Sequence, residues 1–137
     1  MVVQDDRLTT LNLLNLEIIG SLIGIFGLSV FILTSYTSKN ILLNSYFNGR
    51  HSPQILTLDV AALVGRILLI SAGFIAANTA ALRLIQLNQK TMRNQPIDGT
   101  LEPNIWLTVG SWTAFAGGMI SLVGDYKRLQ SPRLPIQ

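Results

Sequence analysis

No cysteine occurs in the 137 residues, and histidine occurs once. Without thiols there is no disulfide framework, no thiolate metal site and no cysteine nucleophile. One histidine and seven scattered acids give no basis for a protein-ligated metal centre. Charge is scarce as well: Asp, Glu, Lys and Arg make up 12% of the chain, about half the share usual in soluble proteins. Hydrophobic residues reach 49% and the mean hydropathy is +0.44, so too few charges exist to coat a globule in water. That composition excludes disorder, an ordinary nucleic-acid-binding domain and most soluble enzymes. Catalytic signatures are missing too. There is no G-x-S-x-G elbow, no phosphate loop, no H-E-x-x-H and no pair of carboxylates within one segment. No catalytic residue, metal ligand or cofactor site is therefore expected.

What is present is length without charge. Ile18 to Ser38 is a run of 21 residues with no ionised group, and Pro103 to Gly124 is a run of 22. At about 1.5 Å per residue, either covers the roughly 30 Å hydrocarbon core of a bilayer. Between Arg66 and Arg83 lie 16 uncharged residues, ILLISAGFIAANTAAL, or about 24 Å of helix. This stretch spans if the two arginines lie along the helix and reach toward opposite headgroup layers. A buried helix of a soluble protein is the alternative, and two longer uncharged neighbours argue against it.

The expected fold is an all-α integral membrane protein, one domain over 1–137, with three transmembrane helices at about 16–36, 64–87 and 104–124. The first apolar stretch is expected to stay in the protein. Its flank, Asp5-Asp6-Arg7, is not the positive region of a signal peptide, and no alanine occurs before Ala61 to make an A-x-A site. The first connection, about Thr37 to Leu63, has turn formers Asn48, Gly49, Ser52 and Pro53 between ILLNSYF and QILTLDVAAL. Each piece is expected as a short interfacial helix, or the second as an extension of the middle span. One helix from Leu56 to Lys90 would exceed about 50 Å. The second connection, Asn88 to Glu102, carries Pro96 and Gly99, and the tail SPRLPIQ is too proline-rich for helix.

Orientation follows from the basic residues. Arg7, Arg83, Lys90 and Arg93 fall on one side; Lys39, Arg50, Arg66, Lys127, Arg128 and Arg133 fall on the other. The richer side is expected in the cytoplasm, with the N-terminus outside and the C-terminus in. The net charge of +3 reads as this topology signal, with some attraction to anionic lipid. No nucleic-acid partner is needed to explain it.

Small residues recur four apart in every span: Gly20 and Gly24 (with Gly27), Gly73-Ala77-Ala81 beside Ala72-Ala76-Ala80, and Gly110-Ala114-Gly118. Such stripes let two backbones approach closely, which matters where lipid tails are as apolar as leucine. They serve the three helices themselves or other subunits, lipids or pigments. Asn78 sits near the centre of the middle span and is expected to bond Ser111 or Thr113 of the third. Asp59 and Arg66 lie seven residues apart, on one face if the helix is continuous; they are read as two separate interfacial charges, with a pair at the membrane edge, direct or through a partner subunit, as the alternative. Arg83 marks the opposite edge, and Glu17 is expected to complement the start of the first helix. His51 lies in the turn NGRHSP as a solvated loop residue, and Trp112 is placed to pack against a helix or a cofactor.

These observations point to a small non-catalytic accessory subunit of a larger membrane complex, with membrane proteins and lipids as partners. It would sit in a bacterial inner membrane or an equivalent energy-transducing one. In length, span number and orientation the chain also resembles the three-span phage holins. That resemblance implies a pore-former, although the short C-terminal tail lacks their dense charge cluster. A small oligomeric transporter is the third alternative, its polar lining limited to Asn78 and Asp59.

Overall fold

A computed structural model describes residues 2–48, 55–97 and 100–130, all but a few of them helical. His51 and the tail 131–137 lie outside the described residues. Three helices follow one another: α1 (Val2–Asn48), α2 (Ile55–Met92) and α3 (Glu102–Gln130). Each is long and apolar enough to cross a membrane. At the usual rise they measure about 70, 57 and 44 Å, so α1 and α2 exceed the hydrocarbon thickness by a wide margin.

The helices are longer than the expected spans because their sequences contain few breakers. Between Gly27 and Gly49 there is neither glycine nor proline, so α1 runs on through ILLNSYF to Asn48. The following apolar piece enters α2, which starts at Ile55. The first piece, expected as a separate interfacial helix, is thus the end of α1, while the second extends the middle helix, the alternative that the sequence offers for it. Nothing in residues 39–47 would stop a helix once formed.

The end of α2 is set by local chemistry. Asn94 adopts a left-handed conformation, φ 52°. Its N–H reaches the Thr91 carbonyl at 3.1 Å, while the Gln95 N–H reaches back to Lys90 at 3.0 Å. This pair of bonds is a Schellman cap; Asn tolerates the left-handed position, and Pro96 follows two residues later to prevent re-entry. At the start of α3 the Leu101 carbonyl accepts from both Asn104 and Ile105 at 3.1 Å. Pro103 sits in that first turn, where its lack of an N–H costs nothing. Glu102 opens α3 and Lys127 and Arg128 lie in its last turn, each sign complementing the helix dipole.

Packing places α2 in the middle. It lies against α1 along one side and α3 along the other, and among the described residues no Cα of α1 comes within 8 Å of one in α3. The molecule is a layer of three helices and not a closed bundle. In α1 the buried positions are Leu13, Gly20, Gly27 and Thr34, spaced by seven, with Glu17, Gly24 and Phe31 partly covered between them. Alternating steps of four and three residues are those of a left-handed, coiled-coil-like crossing.

The distribution around α1 is inverted relative to a helix in water. Its contact seam carries Gly20, Gly27 and Thr34, whereas Leu22, Ile25, Phe26 and Leu33 are all more than 60% exposed. An apolar solvent makes that arrangement favourable: large side chains lose nothing by facing hydrocarbon, and small ones bring helices into contact. Hydroxyls along the helices bond carbonyls of their own preceding turn, for example Thr34 to Val30 at 2.8 Å and Ser71 to Ile67 at 2.9 Å. Among the described residues no buried side-chain polar atom lacks a hydrogen bond, as a hydrocarbon surrounding requires.

Candidate functional site

Two ion pairs mark the edges of the apolar zone. Arg66 on α2 donates through Nε to Asp125 Oδ2 on α3 at 2.9 Å. Arg83 on α2 donates through Nη2 to Glu17 Oε2 on α1 at 2.8 Å. Along α2 the two arginines stand about 26 Å apart, close to a hydrocarbon thickness. What the expectation of two arginines reaching toward opposite headgroup layers left out is that each is met by a carboxylate of a neighbouring helix. Arg66 also lies 4.8 Å from the centroid of the Phe31 ring on α1, so one guanidinium ties all three helices at this level.

The sequence reading missed Asp125 altogether. The signal was available: in an antiparallel pair the end of the third apolar run stands beside the start of the second. Glu17 is likewise no N-terminal residue of its helix. Because α1 starts at Val2, Glu17 sits more than four turns in and serves as the counter-ion of Arg83. Asp59 lines the same cavity as Arg66 and Asp125, on a continuous α2, as the seven-residue spacing implied.

The small residues divide between internal contacts and open surface. A Cβ on Gly20 would stand 3.0 Å from Ile75, and one on Gly24 would stand 3.4 Å from Ala72. On Gly27 it would meet the Gly65 carbonyl oxygen and Leu68 Cβ at 3.0 Å, so here two backbones approach as closely as glycine permits. Gly118 faces Ile70 at 3.1 Å, and Ala77 is fully buried. Gly73 and Gly110, by contrast, have nothing within 4 Å of a Cβ; the same holds for Gly117 and Gly124. Ala81 is half-buried and Ala114 is exposed. The stripe Gly110-Ala114-Gly118 therefore starts on open surface and ends against α2. Steps of four drift by about 40° each on an α-helix, whereas the contact seam alternates four and three.

Asn78 does not bond the third helix as expected. Its Nδ2 donates to the Phe74 carbonyl of its own helix at 2.8 Å. The central buried polar residue is the adjacent Thr79, 2% exposed, whose hydroxyl reaches Ile75 and Ala76 at 3.0 Å. A single amide has an acceptor one turn away without any helix–helix movement. Trp112 packs edge-on against Phe74 and Phe115, with centroids 6.3 and 5.8 Å away, joining α2 to α3.

Because α1 and α3 stand apart, one face of α2 lies at the bottom of a groove. Its half near the Glu17–Arg83 pair holds about 500 Å³ above Ala72, Gly73, Ala76 and Ala80, with Gly24 on one wall and Leu107 and Ser111 on the other. Its opposite end holds about 580 Å³ and is charged, with Lys39, Asp59, Arg66, Asp125 and Arg128 around Thr34 and Ser38. Among the described residues no group of three or more His, Cys, Asp or Glu is placed to hold a metal ion. Compared with protein-family models, curated proteins and solved structures, the chain matches none.

Proposed function

We propose that this protein is a small non-catalytic subunit of a larger membrane complex. It would span the membrane three times, with its N-terminus outside and its C-terminus in the cytoplasm, in a bacterial inner membrane or an equivalent energy-transducing one. The observation that carries this reading is the open layer. The central helix has one face floored by alanine and glycine with no helix of the chain upon it. Beside it, Gly110, Gly117 and Gly124 form a line on α3 where an added Cβ would meet nothing within 4 Å among the described residues. Surfaces of this kind suit a helix from another subunit, since in lipid association comes from close packing. Within the apolar zone Thr34, Ser71, Asn78 and Thr79 bond carbonyls of their own helices, which favours a packing role over a polar lining for transport.

Mild-detergent extraction of a tagged chain, native purification and mass spectrometry test the reading. The expected result is a stoichiometric set of larger membrane proteins, lost when Ala76→Leu fills the groove or Gly117→Leu blocks the α3 line. A homogeneous oligomer of this chain alone, or abrupt permeabilisation of a bacterial membrane on expression, would replace the subunit reading with a pore.

A further inference from the structure

The charged end of the groove has an excess of unsatisfied positive charge. Lys39 stands on α1 and Arg128 on α3, so the two walls of one 580 Å³ cavity each carry a cation. Among the described residues neither has a hydrogen bond or ion pair. Arg66, on the floor, donates through Nε to Asp125, and among the described residues neither terminal NH₂ group of its fork has a hydrogen-bond partner. The acids facing the cavity are Asp59 and Asp125. Three cations against two carboxylates leave a net single positive charge, the complement of one phosphodiester. Neutral donors surround it: the hydroxyls of Ser35 and Ser38 lie on the α1 wall.

The level of this cavity matters as much as its charge. Lys39 is the first charge after the uncharged run of α1, Arg66 precedes that of α2, and Asp125 and Arg128 follow that of α3. The contacts of Arg66 with Phe31 and Asp125 hold the three helices together at that depth. In a chain that crosses a bilayer, this is where hydrocarbon gives way to headgroup phosphates. Cations at such an edge attract anionic lipid, and guanidinium forks suit phosphate oxygens.

We infer that the groove end between Lys39 and Arg128 binds the headgroup phosphate of an anionic phospholipid, one without a compensating ammonium group. The phosphate accepts from the Lys39 ammonium on one wall, Arg128 on the other and the free NH₂ groups of Arg66 below. A zwitterionic headgroup would bring a second positive charge to a cluster already positive, so it binds less well. The inference rests on the membrane-spanning reading of the helices and is independent of the subunit reading.

Native mass spectrometry of the full chain released from detergent micelles tests it, with phosphatidylglycerol and phosphatidylcholine of the same acyl chains as probes. The expected result is one phosphatidylglycerol retained at least about tenfold more tightly than phosphatidylcholine. In the double variant Lys39→Gln/Arg128→Gln that preference should vanish. Both side chains are unpartnered, so helicity by circular dichroism should not change. The variant Arg7→Gln/Arg93→Gln loses the same two charges at the opposite end of the molecule and should keep the preference. Equal retention of the two lipids, an unchanged preference in the double variant, or its equal loss in the control would each overturn the site. Displacement of phosphatidylglycerol by millimolar inorganic phosphate would overturn it in favour of a soluble-anion site.

Discussion

At the scale of single residues, the same amino acid has opposite consequences at different places. Glycine in a helix costs about 0.5–1 kcal/mol relative to alanine, so Gly→Ala is favourable wherever a methyl group fits. At Gly117 it meets nothing, and Gly117→Ala should leave the isolated chain as stable or slightly more so. At Gly27 the methyl would press on the Gly65 carbonyl and the Leu69 amide at 3.0 and 3.1 Å, backbone atoms that cannot rotate away. Overpacking of this kind typically costs about 1–3 kcal/mol and outweighs the helix gain. Gly27→Ala should therefore lower the midpoint of unfolding in mixed detergent micelles while Gly117→Ala does not. Equal midpoints would mean that α1 and α2 do not meet at this glycine. The sequence made all these glycines look alike, because spacing by four selects a line on a cylinder without saying what faces it.

Between elements, charge decides alignment where apolar packing is permissive. Sliding α1 along α2 exchanges one small or aliphatic contact for another, but only one alignment brings Glu17 to 2.8 Å from Arg83. Both side chains are a little over a third exposed, so the pair is screened where water reaches it. Glu17→Arg alone sets two guanidinium groups against each other, and Arg83→Glu alone sets two carboxylates together. Either should destabilise the chain, and the double exchange should recover most of the loss. The coupling expected from the double-mutant cycle is about 0.5–3 kcal/mol, read as unfolding midpoints of the four chains. Purely additive losses would show that the contact does not align the helices. That both arginines bound the middle apolar stretch was plain from the sequence. Their counter-ions were not, because they come from 59 and 66 residues away along the chain.

For the whole molecule, the proposed topology is three crossings by the three apolar helices, with a direction set by the basic residues. The absence of cysteine makes this directly measurable. Leu8 and Gln130 are exposed near the two ends of the described chain, so Leu8→Cys and Gln130→Cys each supply a single thiol. With a membrane-impermeant maleimide on intact bacteria, Leu8→Cys should label at once and Gln130→Cys only after permeabilisation. Labelling of both before permeabilisation would require an even number of crossings and would end the three-span account. The layered arrangement has a further consequence at this scale. With α1 and α3 apart, α2 is screened on two sides and open on a third, which is why the small residues of α2 occupy so wide an arc.

Composition and charge spacing alone determined that the chain is helical and apolar, roughly where its three membrane-length apolar helices lie and which arginines bound the middle apolar run. These are properties of short segments: a helix follows from the residues along it, and an apolar run of given length needs no neighbour to be recognised. Tertiary structure alone decided that α1 and α3 do not meet, that Asp125 and Glu17 hold the arginines, and that Lys39 and Arg128 face one cavity. Those relations join residues on different helices, and they depend on the rotation and axial shift at which two surfaces pack. Helical periodicity places a residue on a face; only the crossing of a second helix determines what that face touches.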